Sequence, residues 1–245
     1  MIMKFIGILL MLCMGTAFAG EEQGALSAFV AYTDLRMGSI ERSLEIAAST
    51  HEAKSGKWED VKDLLQGYQK SEDGLILWYA LSDGGYYTVD RGLMDVKLND
   101  RSYFPDLLAG RNVVGSLVVS KSTGRRSAVI AVPVVKDGKV VGAVGASLFL
   151  DGLSSRIGSI LSLEKGKTFF ALAPDGLTAL HSKAARHFLD PRELGGESLK
   201  KAANEMLSKD SGEVAYEYDN ATKRAVFRTS PLTHWKFAIS SDGGR

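Results

Sequence analysis

The spacing of hydrophobic residues near the start of the chain is helical. Residues 22–54 contain no proline, and their apolar positions recur mostly at steps of three and four, which places them on one side of an α-helix. A second stripe with this spacing predicts a shorter helix from Trp58 to Gln69. The apolar positions of the long helix are Leu26, Phe29, Val30, Leu35, Met37, Ile40, Leu44, Ile46 and Ala47.

After residue 74 the pattern changes from helical to extended. Residues 75–81 (LILWYAL) are apolar or aromatic throughout, which predicts a strand buried on both faces. The turn sequence SDGG at 82–85 and the strand YYTVD at 86–90 complete a hairpin. The further predicted elements are strands at 127–135 and 139–150 around the turn Lys136-Asp137-Gly138, a helix at 151–163, strands at 167–173 and 177–182, a helix at 197–209, and strands at 213–219, 223–230 and 235–241.

The order of these elements predicts an α+β fold with two similar units. A long N-terminal helix precedes two mixed or antiparallel sheet units, each with flanking helices. We predict a leader at 1–19, the long helix at 20–56, a first sheet unit at 57–153 and a second at 154–245. The two units share the order of their elements but no close sequence repeat.

The first 19 residues have the features of a secretory signal peptide. Lys4 is a minimal positive region, an apolar run follows from Phe5 to Met14, and Ala17-Phe18-Ala19 is a small-x-small cleavage signal. The run is shorter than the roughly 20 residues of a membrane-spanning helix, so we expect cleavage after Ala19 and a periplasmic or secreted protein. The alternative is an uncleaved segment that anchors the chain to the inner membrane. Cys13 is the only cysteine, so we expect no disulfide in the exported chain.

Charge and motifs argue against several classes of function. Lys4 is the only charged residue of the predicted leader, so 29 basic and 29 acidic residues remain after it. This balance does not favour binding to nucleic acid, which requires a basic surface. No phosphate-binding loop, nucleophile elbow, calcium loop or tight metal-ligand spacing is complete. We therefore expect no catalytic residues, no metal, no cofactor and no nucleic-acid partner.

An arginine beside two aromatic residues is the main candidate for ligand binding. Arg101 precedes Pro105 and a run to Leu108 that predicts a helix start. A guanidinium offers two parallel donors to a carboxylate, and the N–H groups of a helix start add to a preference for anions. The alternative is a structural arginine paired with Asp95, Asp100 or Asp106.

Four aromatic residues lie on the paired strands of the first hairpin. Strand alternation places only one of Trp78 and Tyr79, and one of Tyr86 and Tyr87, on a given face. We name Trp78 and Tyr86 as candidate walls of a ligand pocket; ordinary core packing is the alternative. Asp83 is either a polar group of that pocket or a turn former.

Four segments between residues 75 and 153 form a recognisable set: the element Asp100-Arg101-Ser102-Tyr103-Phe104 ("DRxYF"), and VSKSTG, AVPV and GAVGASLFLD at 119–124, 131–134 and 142–151. Together they resemble the double Cache family, the extracytoplasmic PAS-like sensor module of bacterial chemoreceptors and sensor kinases. The second half is similar more loosely, through Ala173-Pro174-Asp175-Gly176, Gly212-Glu213 and Trp235.

The resemblance implies a ligand site in the membrane-distal unit, here residues 57–153. In amino-acid-sensing members an arginine followed by two aromatics binds the ligand carboxylate, and Arg101, Tyr103 and Phe104 match this element. The second unit, 154–245, then corresponds to the membrane-proximal unit.

The chain departs from the family pattern where the ligand ammonium is bound. The positions of the expected aspartates correspond to Ser120 and Ser147, and two expected tyrosines are replaced by Val96 and Val118. A buried ammonium without an anionic partner is unfavourable by several kcal/mol. The resemblance therefore favours a small organic acid over an α-amino acid, with Ser120 and Ser147 as neutral hydrogen-bonding groups.

The predicted function is a sensor-type protein outside the cytoplasm that binds a small carboxylate in its first sheet unit. Because the sequence ends at Arg245 without a membrane helix or effector, we expect it to act through a membrane-bound signalling partner. A homodimer through the long helix is a further expectation. The alternative is a ligand-free protein-interaction or scaffold module of the same fold.

Overall fold

A computed structural model describes the backbone of residues 3–243 and the side chains of residues 20–243. It confirms the predicted α+β class, with a long helix followed by two antiparallel sheets and flanking helices. The chain divides into a first-sheet unit, Asp34–Arg156, and a second-sheet unit that joins Met1–Thr33 to Ile157–Arg245. The predicted signal peptide concerns residues 1–19, whose side chains lie outside the described residues. Cleavage after Ala19 therefore stays a prediction.

None of the helices within the described residues is both long enough and apolar enough to cross a bilayer.

Helix α1 (Met3–Ser49) is interrupted earlier than the sequence pattern indicates. Thr50 adopts an extended conformation, and its hydroxyl accepts a hydrogen bond from the Ala53 N–H at 3.2 Å. This cap begins a new short helix, α2 (His51–Lys54), in place of the predicted continuation. Within the first-sheet unit Leu35 and Ile46 of α1 are 67% and 70% exposed, so they do not belong to its buried stripe.

The first-sheet unit contains a six-stranded antiparallel sheet in the order β3-β2-β1-β6-β5-β4. Its predicted hairpins are confirmed. Asp137 and Gly138 connect β5 to β6, and both have positive φ, as a two-residue type I′ turn requires. The elements are α3 (Trp58–Lys70), β1 (Leu75–Leu81), β2 (Tyr86–Thr88), β3 (Gly92–Leu93), α4 (Phe104–Leu108), β4 (Val113–Val119), β5 (Arg126–Lys136), β6 (Lys139–Phe149) and α5 (Leu150–Leu161).

Alternation along β1 and β2 sorts the four aromatic residues onto two faces. The Tyr79 hydroxyl donates to the Ala53 carbonyl oxygen at 2.8 Å, and Tyr87 stacks on Trp58 of α3 with ring centroids 5.2 Å apart. Trp78 and Tyr86 lie in the core cluster of the opposite face. Tyr79 and Tyr87 therefore pack on the face of the sheet that contacts α2 and α3. Trp78 and Tyr86 lie on the opposite face, where they can line a pocket.

Strand β4 is absent from the sequence-based prediction. Its sequence, VVGSLVV, is interrupted by Gly115, which has a φ of 84°, and the register with β5 shifts between Val114 and Ser116. A bulge of this kind removes the regular alternation by which a strand is recognised.

The second-sheet unit contains a five-stranded antiparallel sheet in the order β8-β7-β11-β10-β9. Phe29 of α1 packs edge-to-face on Phe169 and Phe237, with centroids 5.1 and 4.7 Å away. This contact ties the helix to the sheet. The elements are β7 (Thr168–Leu172), β8 (Thr178–His181), a 3₁₀ turn (Ala184–Arg186), α6 (Pro191–Leu194), α7 (Glu197–Ser208), β9 (Ser211–Tyr218), β10 (Ala221–Thr229) and β11 (Lys236–Asp242).

Candidate functional site

A small cavity in the first-sheet unit brings together six of the eight predicted site residues. It lies between the sheet face that carries Trp78 and the chain segments around residues 98–103 and 118–122, and we name it the Arg101 cavity. The predicted residues that line it are Trp78, Tyr86, Arg101, Tyr103, Ser120 and Ser147. Its other lining residues are Leu98, Val118, Lys121, Ser122 and Val129.

The guanidinium of Arg101 lines the cavity without a carboxylate partner. Its Nη2 donates to the Val119 carbonyl oxygen at 2.7 Å, and none of the described carboxylates lies within ion-pair distance of it. Asp100 is instead bound by Lys121 at 2.6 Å, and Asp106 is paired with Arg111. Arg101 therefore forms no salt bridge among the described residues, although the adjacent Asp100 interacts with it electrostatically.

The aromatic walls are buried against this charge. Trp78, Tyr86 and Tyr103 are 3–5% exposed. Burial raises the pKa of the Tyr103 and Tyr86 hydroxyls, and the neighbouring Arg101 partly offsets the increase. Both hydroxyls therefore remain protonated at neutral pH and are available as hydrogen-bond donors. Phe104 begins α4 and packs in the same core cluster, but it does not line the cavity.

The serines supply the neutral polar surface of the cavity. Ser120 and Ser147 are each 6% exposed, and the hydroxyl oxygens of Ser120 and Ser122 lie 3.1 Å apart. Ser147 is on β6, opposite Ile76 of β1. The sequence analysis did not name Ser122 or Lys121 as site residues. Both lie in the tight turn that follows Ser120, and this proximity in sequence could have indicated them.

Asp83 lies in the turn between β1 and β2, outside the cavity lining. Its carboxylate accepts from the Gly85 N–H at 3.0 Å and from the Lys97 ammonium at 2.7 Å. The hydrogen bond from Lys97 lowers the pKa of this exposed carboxyl, and the bond from Gly85 adds to the effect. The arrangement matches the turn-forming alternative.

The cavity is small and partly open. Its volume is about 20 Å³, which accommodates about one water molecule, since a water requires roughly 10–15 Å³. The Lys121 ammonium joins the two segments of the wall, since it donates to the Lys97 carbonyl oxygen at 2.5 Å and to Asp100. Arg101 joins the same segments through Val119. A ligand larger than water therefore requires these contacts to open.

No protein-family model matches the sequence, and no curated protein matches it.

Several solved sensor domains share the fold over nearly the whole chain. The sensory domain of the Campylobacter jejuni chemoreceptor Tlp3, solved with isoleucine bound, has a TM-score of 0.67 at 12% identity and covers 95% of each chain. The ligand-binding domain of the Pseudomonas fluorescens chemoreceptor CtaA, in complex with L-isoleucine, has a TM-score of 0.70 at 18% identity, covering 93% of this chain and 91% of the other. The extracellular domain of rpHK1S-Z16, a protein assigned as a histidine kinase, has a TM-score of 0.76 at 15% identity, covering 93% and 95%.

The chain therefore has the fold of the extracytoplasmic sensor domains of chemoreceptors and histidine kinases. At the level of the fold this confirms the resemblance to double Cache domains. At these identities the similarity concerns architecture, and the chemistry of the site rests on the residues of this chain.

Proposed function

We propose that this protein is an extracytoplasmic sensor-type domain that binds a small monocarboxylate in the Arg101 cavity. The observation that carries the proposal is the charge of the lining. The lining contains the cations Arg101 and Lys121 and no carboxylate; Lys121 is paired with Asp100 outside the lining, so Arg101 is the cation left to bind an anion. A half-buried guanidinium without a salt-bridge partner among the described residues, beside hydroxyl donors, is suited to a carboxylate, which accepts two parallel hydrogen bonds from it.

The same lining disfavours an α-amino acid. The chemoreceptor domains of similar fold were solved with isoleucine, L-valine or L-norvaline bound. Here the groups nearest the predicted ammonium position are the hydroxyls of Ser120 and Ser147, which carry no charge. An ammonium held between these serines and Arg101 would be desolvated without an anionic partner, at a cost of several kcal/mol.

Binding and opening are coupled in this proposal. The contacts of Lys121 with Lys97 and Asp100, and of Arg101 with Val119, hold the two wall segments of the cavity together. A carboxylate that replaces the Val119 carbonyl as the partner of Arg101 releases one of these links and stabilises the open form. The shift of population between the two forms is then the event that a partner can detect.

A thermal-shift screen of small organic acids and amino acids tests the proposal. At about 100 times its dissociation constant a ligand adds roughly 2.7 kcal/mol to the free energy of unfolding, which raises Tm by several degrees for a chain of this size. We expect short monocarboxylates to produce the shift, and Arg101→Ala to abolish it.

Arg111→Ala is the matched control for this screen, because Arg111 is an exposed arginine of the same unit that pairs with Asp106 and does not line the cavity. It should keep the wild-type response. An unchanged response of Arg101→Ala would refute the role of the guanidinium. Stabilisation by amino acids but not by simple acids would refute the role given to Ser120 and Ser147.

The small volume of the cavity favours a second candidate, a ligand-free protein-interaction module of the same fold. In that case Arg101 and Lys121 serve to hold the two wall segments together. Failure of every acid and amino acid in the screen, with Arg101→Ala lowering Tm in buffer alone, would support this candidate over the first.

Location and partners belong to the proposal as well. The domains of similar fold are sensory or extracellular, which supports a position outside the cytoplasm, with residues 57–153 membrane-distal and 154–245 membrane-proximal. We propose a membrane-bound signalling protein as the partner and no catalytic activity. A homodimer through the long helix also stays a proposal; Leu35 and Ile46, the exposed apolar residues of α1 in the first-sheet unit, are candidates for its surface.

A further inference from the structure

A larger cavity lies in the second-sheet unit, where sequence reasoning placed no ligand. Its volume is about 170 Å³, compared with about 20 Å³ for the Arg101 cavity. We name it the second-sheet cavity. It is enclosed by one face of the sheet, by α6 and α7, and by the segment that follows β8. A cavity of about 150 Å³ is large enough to bind benzene, so this one has room for a ligand of comparable size.

The floor of the second-sheet cavity is apolar. Leu172 of β7 and Ala202, Ala203 and Met206 of α7 line it, and all four are buried. Phe170 stands beside them and stacks on His181, with ring centroids 6.3 Å apart. An apolar floor with a few polar groups is typical of small-molecule sites, and it calls for a ligand with an apolar body.

Positive charge predominates at the rim. Lys183, Arg186 and Lys223 line the cavity, against the single carboxylate of Asp219. Lys223 is paired with Asp242 outside the lining, so Lys183 and Arg186 supply the positive charge available to a ligand. The Arg186 guanidinium lies over the Tyr218 ring at 5.3 Å and is hydrogen-bonded to its hydroxyl, which fixes its position. Lys183 and Asp219 are exposed, so this charged side of the cavity is in contact with solvent.

His181 adds a neutral polar group to the wall. The Lys183 backbone N–H donates to its Nδ1 at 2.9 Å, so the neutral ring carries its proton on Nε2. Burial, with a smaller contribution from the nearby charge of Arg186, lowers the pKa of His181 to about 4. At neutral pH the ring is therefore a donor without charge, and the positive charge available at the rim comes from Lys183 and Arg186.

We infer that the second-sheet cavity is a second ligand site, which binds a small organic anion whose apolar body occupies the floor and whose anionic group contacts the rim cations. Apolar burial against Leu172, Ala203 and Met206 supplies attraction without charge. The rim of Lys183 and Arg186 distinguishes an anion from its neutral analogue. This site does not depend on the Arg101 cavity, because no residue lines both.

Isothermal titration with benzoate, benzamide and acetate tests this inference. Benzoate has both the apolar body and the charge, benzamide lacks the charge, and acetate lacks the body. We expect benzoate to bind at least tenfold more tightly than either analogue, since a charged hydrogen bond and the burial of a ring are each worth a factor of this size. Titrations of Arg101→Ala separate the two sites, and benzoate binding should persist in that variant.

Two variants locate the binding within the cavity. Ala203→Leu places three further carbon atoms on the floor and should abolish benzoate binding. Lys183→Gln, at an exposed position that leaves the core intact, should weaken benzoate about tenfold and leave benzamide unchanged. Lys200→Gln is the control, because Lys200 is an exposed residue of α7 outside the lining.

Several outcomes would overturn the inference. They include no benzoate binding at millimolar concentration, equal affinity for benzoate and benzamide, and unchanged binding in both Ala203→Leu and Lys183→Gln. Loss of benzoate binding in Arg101→Ala would also overturn it, and would leave the proposal for the Arg101 cavity standing.

Discussion

Replacement of Gly145 by alanine tests how Trp78 is held in the wall of the Arg101 cavity. Gly145 of β6 is the cross-strand partner of Trp78 on β1. A Cβ at position 145 would lie 2.1 Å from Cζ2 of the indole and 2.4 Å from Cε2. Ordinary contact begins near 3.4 Å, so the ring must move by roughly 1 Å within a packed core. Overpacking of this kind destabilises a protein by about 1–3 kcal/mol.

Urea unfolding followed by circular dichroism measures this loss. Gly67→Ala is the control, because a Cβ at this position of α3 meets no atom within 4 Å, and alanine in a helix interior should stabilise the protein by about 0.5–1 kcal/mol. In a Trp78→Phe background the smaller ring leaves space for the new methyl group, so Gly145→Ala should be less destabilising there. The steric argument is refuted if Gly145→Ala has wild-type stability, or if its effect is the same in both backgrounds.

Two further predictions concern the second-sheet unit. The pKa of His181 is lowered to about 4 by burial and by Arg186, so the unfolded chain binds the proton more readily than the folded chain. The folded state is therefore favoured above pH 6.5, and this contribution to the free energy of unfolding, on the order of 3 kcal/mol, is lost as pH falls towards 4. Free energies of unfolding at pH 7.5 and 4.5 should differ more in the wild type than in His181→Asn, which keeps an acceptor but does not titrate, and parallel losses would contradict the assignment. Phe29→Ala removes a fully buried ring from Phe169 and Phe237 and should lower the free energy of unfolding by about 3–5 kcal/mol in the same assay; a loss below 1 kcal/mol would mean that the helix is not held by this contact.

Most helices and strands were predictable because their signals are local. The period of the apolar residues identified α3, β1 and the β5–β6 hairpin, and the two-residue turn at Asp137 and Gly138 carries its own backbone preference. The misses have local causes as well. Gly115 interrupts the alternation of β4, and the capping hydroxyl of Thr50 begins a new helix inside an otherwise helical pattern.

The candidate site was predicted in part. Six of the eight residues line one cavity because the family resemblance and strand alternation both point to the same sheet face. Asp83 lies outside the lining, since its carboxylate is bound by Gly85 and Lys97 in the turn. Lys121 was missed because its role depends on where the Asp100 segment lies in space. The second-sheet cavity was missed for the same reason, because its charged rim and apolar floor come from separate parts of the chain.

The class of fold, the faces of the strands and the arginine beside two aromatic residues could be predicted from local sequence patterns. These follow from the backbone periods of helices and strands, which each segment expresses independently of the others. The three-dimensional packing was needed to show that Arg101 forms no salt bridge among the described residues, that its cavity is small and that a larger one lies in the second-sheet unit. Empty volume and the pairing of charges are properties of atoms brought together from distant positions, and packing settles them only when all the segments are in place.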